Sequence, residues 1–193
     1  MSQQKSQLRI ALLQKRRDYV HSLSEQQRQE AGEKLRRNTL TLLKDKPPSV
    51  ITGFWPLWDE INCRTLLNAL SQKHKLGLPV VNMDKNVLEF HIWTPTSKLK
   101  PGSLKISVPA TYSPLPSPDI VLTPAIAFDF AGHRLGYGRG HYDRTLEILR
   151  QKKQVLALGL GYDVQMIDSL PHQEFDQTVD IIITEKRIIQ RNT

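Results

Sequence analysis

From residue 49 onward, short apolar runs rich in β-branched residues alternate with stretches of helical texture. Residues 49–55, 78–82, 87–93, 119–124, 125–129, 154–160 and 179–184 read as strands. Residues 60–75, with Leu66, Leu67 and Leu70 on one face and Gly77 as the stop, read as a helix. So do residues 139–151. Between them, residues 94–118 hold six prolines and read as irregular chain with one short strand at 104–108. Strands alternating with helices demand parallel pairing, and a parallel sheet must be covered on both faces. The expected fold is therefore α/β: a three-layer α/β/α arrangement with a mostly parallel central sheet. Ligands of such folds sit beyond the carboxyl ends of the strands.

The chain ahead of this alternation is different. Its first 45 residues contain no proline and a single glycine, Gly32. Leu8, Ala11, Leu12 and Val20 mark an apolar stripe on a first helix. Ser24 followed by Gln27 is a capping-box pattern opening a second helix toward Leu43, and Pro47-Pro48 stops it. A chain of 193 residues suits one domain, so residues 1–46 are expected to pack as an N-terminal helical segment on a single domain spanning 1–193. Residues 1–48 carry eleven Lys/Arg against five Asp/Glu, supplying +6 of the net +8. That balance favours anionic partners without choosing among nucleic acid, lipid and small phosphorylated or carboxylated ligands. Most of these basic residues are expected on a solvated helix face. The lone cysteine, Cys63, is expected to be structural, in a reducing compartment. No apolar run is long enough for a membrane span, and no secretory signal is expected at the N-terminus.

Chemistry concentrates in residues 124–146. Gly136, Gly138 and Gly140 recur at every second position after an apolar strand and before a helix. Glycines admit close backbone approach, successive N–H groups form anion-binding nests, and the helix dipole adds to them. Arg134 and Arg139 supply guanidinium donors suited to phosphate oxygens. Asp143 lies just beyond, where it could hold a magnesium ion shared with phosphates. The segment is neither a Walker A loop nor the G-x-G-x-x-G dinucleotide fingerprint. A glycine-rich hairpin with an Arg–Asp surface pair is the plain structural alternative.

The run from Arg134 to Asp143, R-L-G-Y-G-R-G-H-Y-D, resembles the signature of the 5-formyltetrahydrofolate cyclo-ligase family, R-L-G-x-G-x-G-[YF]-Y-D. Upstream, Pro124, Ala127-Phe128-Asp129 and Gly132 match as well. So do Lys5 and Arg9 (K-x-x-x-R), residues 54–60 followed by Ile61, Gln165, Leu170-Pro171 and Asp176, and Thr184-Glu185. The resemblance implies a cytoplasmic ligase that converts 5-formyltetrahydrofolate to 5,10-methenyltetrahydrofolate with MgATP, by phosphorylation of the formyl oxygen and attack of N-10.

It also implies roles. Lys5 and Arg9, on one helical face, would reach the ATP phosphates. Arg134, Leu135, Gly136, Tyr137, Gly138, Arg139, Gly140, His141 and Tyr142 would form the ATP loop. Tyr137, Gly138, Arg139, Gly140 and His141 would also border the folate. Arg139 and Asp143 would be catalytic, and Asp143 and Asp176 would hold Mg2+. Glu60 would bind the folate, since a carboxylate accepts two hydrogen bonds from an aminopyrimidine edge. Trp55 or Trp58 could stack on a folate ring. His141 replaces the family's Tyr or Phe with a titratable ring, which predicts a pH dependence of ligand binding. Val108 replaces a common Glu, so the middle segment is left outside the expected site, Tyr112 included. A monomer is expected, with ATP and a reduced folate, polyglutamylated or not, as partners. Two other readings remain: a sugar-phosphate-binding α/β enzyme or sensor, and a basic RNA-binding module.

Overall fold

The computed structural model describes residues 2–103 and 106–191. Helix α1 (Ser2–Ser22) and helix α2 (Glu25–Leu43) lead into strand β1 (Val50–Thr52), helix α3 (Arg64–Leu70), β2 (Lys75–Asn82) and β3 (Val87–Ile92). A small hairpin, β4 (Leu99–Pro101) and β5 (Ser107–Pro109), precedes β6 (Ile120–Pro124), β7 (Ala127–Asp129) and β8 (Arg134–Leu135). Helix α4 (His141–Lys152), β9 (Leu156–Leu160), β10 (Met166–Ile167), β11 (Ile181–Ile183) and β12 (Ile188–Gln190) complete the chain.

The central sheet has seven strands in the order β12-β11-β9-β6-β1-β2-β3. Its five inner strands are parallel, and β3 and β12 close the edges antiparallel. Alternation along each strand sorts side chains between the faces. Ile120, Leu122, Leu158 and Leu160 pack with Leu35 and Leu43 of α2 and Leu66, Leu67 and Leu70 of α3. Val121, Ala157 and Ile182 point the other way, against Leu146 and Leu149 of α4 and the ring of Phe128. The architecture is thus α/β with helices on both faces, as the alternation implied. The chain steps from β1 to β2 on one side, then crosses to β6, β9 and β11 on the other. The switch in direction falls between β1 and β6.

Several expectations need correction. Gly77 does not stop α3: the helix ends at Leu70, and Gly77 lies inside β2, where a Cβ would meet the Leu115 side chain at 2.6 Å. Its glycine serves close packing, not a cap. The second helix, by contrast, runs to Leu43 as expected, just ahead of Pro47. The strand expected at 104–108 is β5, paired with the unforeseen β4; residues 104 and 105 lie outside the described residues. On α1, Ala11 is exposed. The inward face instead carries Lys5, Leu8, Leu12, Arg16 and Val20, so two of its buried positions are cations. The capping box stands as expected: the Gln27 amide donates to Ser24 Oγ at 3.2 Å, and the Ser24 amide to Gln27 Oε1 at 2.8 Å.

Candidate active site

A cavity of about 1080 Å3 opens beyond the carboxyl ends of β1 and β6, at the topological switch point. Lys5 and Arg9 of α1 line it, with Trp55 and Glu60 after β1, the whole of residues 134–143, and Asp176. All the expected site residues border this one space, although Lys5 and Asp176 are 171 positions apart. Leu135 borders the cavity, but its side chain is buried against Ala127 and Leu170 and its carbonyl accepts the Ile126 amide at 2.7 Å.

The glycine segment is shaped by its backbone. Gly138 has φ +91° and Gly140 φ +64°, both in the left-handed region that glycine adopts without strain. Gly140 is the N-cap residue of α4, so the loop delivers its amides to the start of that helix. Arg9 Nε donates to the Gly136 carbonyl at 2.9 Å, and its guanidinium lies over Gly138. Arg144 ties the loop down, donating to the Arg139 carbonyl at 2.5 Å and to the Asn86 carbonyl at 2.7 Å. His141 Nδ1 lies 3.1 Å from the same Asn86 carbonyl; a carbonyl only accepts, so this nitrogen carries the hydrogen.

Charge is divided within the cavity. The Arg134 side chain is almost fully buried, donates to Asp143 Oδ1 at 2.7 Å and lies over the Tyr142 ring. Burial pulls its guanidinium below the usual arginine range, against the opposing pull of Asp143. Asp143 Oδ1 also accepts the Gln177 amide at 3.1 Å, which brings Asp143 beside Asp176. Asp176 Oδ2 pairs with Lys5 Nζ at 2.5 Å and accepts the Gln173 amide at 2.8 Å. The second oxygen of each carboxylate is not used by these bonds. Among the described residues, no three His, Cys, Asp or Glu side chains converge on a metal position. Two neighbouring carboxylates, each with one oxygen outside these bonds, beside cationic groups and the glycine loop, suit a magnesium ion completed by water and phosphate oxygens, not an all-protein cage.

The other end is aromatic and apolar around one buried acid. Glu60 Oε2 accepts the Leu57 amide at 2.9 Å, and Oε1 accepts the Tyr137 hydroxyl at 2.9 Å. Burial pushes the Glu60 carboxyl up, opposed by those two donors and by the charge of Arg16. Trp55 lies between Trp93 and the Arg64 guanidinium, while Trp58 is 71% exposed at the rim. The middle segment, left out of the expected site, does line it: Ile106, Val108 and Tyr112 border the cavity. Tyr112 is stacked on His91 and covered by Lys100. Val108 belongs there as an apolar wall, a role that a search for polar partners misses. Phe175, 63% exposed beside Asp176, was also missed. Cys63 is fully buried, its thiol donating to the Phe54 carbonyl and pushed up by burial, in keeping with a structural residue.

The fold and cavity define the class: an α/β protein with a cleft at the switch point, lined by Lys5, Arg9, Arg134 and the glycine loop and by a buried carboxylate, Glu60, among aromatic and apolar side chains. The sequence model of the 5-formyltetrahydrofolate cyclo-ligase family matches residues 1–185. The 5-formyltetrahydrofolate cyclo-ligase of Mycolicibacterium smegmatis is 33% identical, over 95% of this chain and 94% of its own. That of Haemophilus influenzae is 31% identical, over 84% and 90%. The solution structure of Aquifex aeolicus 5,10-methenyltetrahydrofolate synthetase superposes with a TM-score of 0.79 at 30% identity, covering 98% of this chain and 93% of that one. The chain belongs to the 5-formyltetrahydrofolate cyclo-ligase family and is a ligase.

Proposed function

We propose that the protein closes the ring of 5-formyltetrahydrofolate to 5,10-methenyltetrahydrofolate at the expense of MgATP, working as one unit of residues 1–193, a monomer in the cytoplasm. The observation that carries this reading is the polarity of the cleft at the switch point. Lys5, Arg9, Arg134, Arg139 and the glycine-loop amides gather at one end, and Glu60 lies among Trp55, Tyr137 and apolar walls at the other. A triphosphate and a pterin-like ring would occupy one end each, with the glycine loop between them.

The chemistry needs positioning and charge neutralisation more than covalent help. The formyl oxygen attacks the γ-phosphorus of ATP, and ADP leaves with the bonding electrons. N-10 then attacks the formyl carbon. Phosphate departs with the former formyl oxygen, and N-10 releases its proton as the methenyl bridge forms. Arg139, exposed on the loop, and Lys5 would meet the charge of the transferring group. Asp143 and Asp176 would hold the magnesium ion, which when bound neutralises phosphate charge. Glu60 would accept the N–H donors of the pterin edge. Closure by α1 and the aromatic rim would limit water, protecting the activated intermediate.

The test follows the methenyl absorbance band with purified protein and 5-formyltetrahydrofolate. The band is expected to appear with MgATP, to stay absent without ATP, and to fall at least about 100-fold in rate in Asp143→Asn. A folded protein producing no band overturns the reading. The sugar-phosphate alternative would then be examined first, because no described feature besides charge favours RNA.

A further inference from the structure

Arg16 is only 2% exposed, yet among the described residues it forms no direct ion pair. Its Nη1 donates to the Ala125 carbonyl at 3.2 Å, its Nη2 donates to the Tyr137 hydroxyl oxygen at 3.0 Å, and its Nε finds no hydrogen-bond partner. A buried cation without a counterion is costly. The carboxylate that it can serve is reached through one intervening group: the Tyr137 hydroxyl donates on to Glu60 Oε1 at 2.9 Å.

Hydrogen-bond direction makes this chain decisive. A guanidinium only donates. The Tyr137 oxygen must therefore accept from Arg16, and its single hydrogen is committed to Glu60. The Leu57 amide, also only a donor, occupies Glu60 Oε2. Both Glu60 oxygens thus accept from donors, and hydrogen bonds of that kind favour the ionised carboxylate. We infer that Arg16 is a positioning residue that, through the Tyr137 hydroxyl, holds Glu60 ionised so that its remaining lone pairs face N–H donors of the ligand.

Among the described residues, the cation whose charge acts on Glu60 is Arg16. Tyr137 reaches it from the glycine loop, Arg16 from α1, Cys63 from the start of α3, and the Tyr142 phenol from α4. Asp59, its neighbour on the same segment, turns to Arg17 and His21 at the surface. Burial pushes the Glu60 carboxyl up, toward the protonated form, and the charge of Arg16 and the Tyr137 hydroxyl oppose it. The same helix therefore sends Lys5 and Arg9 to the cationic end of the cleft and Arg16 to the charge state of the other.

The primary test is ligand-free: a 13C carboxyl titration of Glu60 in wild type, Arg16→Gln and Tyr137→Phe, with assignment by loss of the signal in Glu60→Gln. The midpoint is expected to rise by about one pH unit or more in each variant. The Arg16→Gln/Tyr137→Phe double variant is expected to rise no further than the larger single change. Tyr137 is 40% exposed, so its phenylalanine variant provides the measurement even if Arg16→Gln folds poorly. A midpoint unmoved in Tyr137→Phe overturns the relay. The consequence for binding rests on the folate reading: in Tyr137→Phe the KM for 5-formyltetrahydrofolate should rise several-fold as pH falls toward the raised Glu60 midpoint, and by more than the KM for ATP does. A shifted Glu60 titration without that split in KM would refute the folate placement while leaving the relay standing.

Discussion

Gly138 shows how much one residue's backbone can control. At φ +91° an L side chain is strained by about 1–2 kcal/mol. A Cβ there would also press on the Arg9 guanidinium at 3.3 Å. Gly138→Ala is expected to fold, to lose stability of that order in urea titrations, and to raise the KM for ATP more than that for folate. Equal effects on both would detach Arg9 from the nucleotide end. His74 gives a residue-scale pH prediction. It is buried, its Nδ1 accepts the Ser49 amide at 3.1 Å, and burial with Lys73 nearby lowers its pKa from 6.5. The folded state thus favours the neutral ring. Its stabilisation is complete above the unfolded value and drains away as pH falls through the lowered folded one. The stability gap between wild type and His74→Gln, read from urea midpoints, should be widest at pH 8 and narrower at pH 5. A constant gap would assign His74 to packing alone.

At the scale of elements, local propensity and tertiary contact can be set against each other in α2. Gly32 sits mid-helix, where alanine should gain about 1 kcal/mol. A Cβ at Gly32, however, would stand 2.8 Å from the Asn62 carbonyl, on the segment leading into α3. Gly32→Ala is therefore expected to destabilise despite its propensity, and a stabilised variant would mean that the α2–α3 contact yields readily. Ser24→Ala, at an exposed cap with no tertiary partner, should cost about 1 kcal/mol in the same assay. The elements legible in the sequence were those whose signals are local. They include the capping box, the inner strands with their β-branched runs, and α4. The elements missed, β4, β8, β10 and β12, are two or three residues long. They exist because a neighbouring strand is already in place, and so short a span carries no period of its own.

For the whole molecule, the net charge of +8 and the cationic end of the cleft act together on anionic ligands. Raising ionic strength from 0.05 to 0.5 M shortens the Debye length to a few ångströms. The kcat/KM for ATP is expected to fall several-fold over that range, and a flat response would confine the charge effect to contacts inside the cleft.

Alternation of strand and helix texture, and the spacing of three glycines with their flanking Arg and Asp, are one-dimensional facts. They suffice for the fold class and for one wall of the cleft, because period and backbone freedom are properties of neighbouring residues. The other walls were not local. Most basic residues on α1 read as a solvated face; resemblance, not spacing, singled out Lys5 and Arg9, and only the docking of that helix turned Arg16 inward beside them. The spacing of those three residues on one face was present in the sequence, but spacing does not say which face is covered. Nor could the chain alone join Arg16 to Tyr137 and Tyr137 to Glu60, 121 and 77 positions apart. Such bonds depend on distance in space, and burial, which sets their strength, exists only once the sheet has brought the segments together.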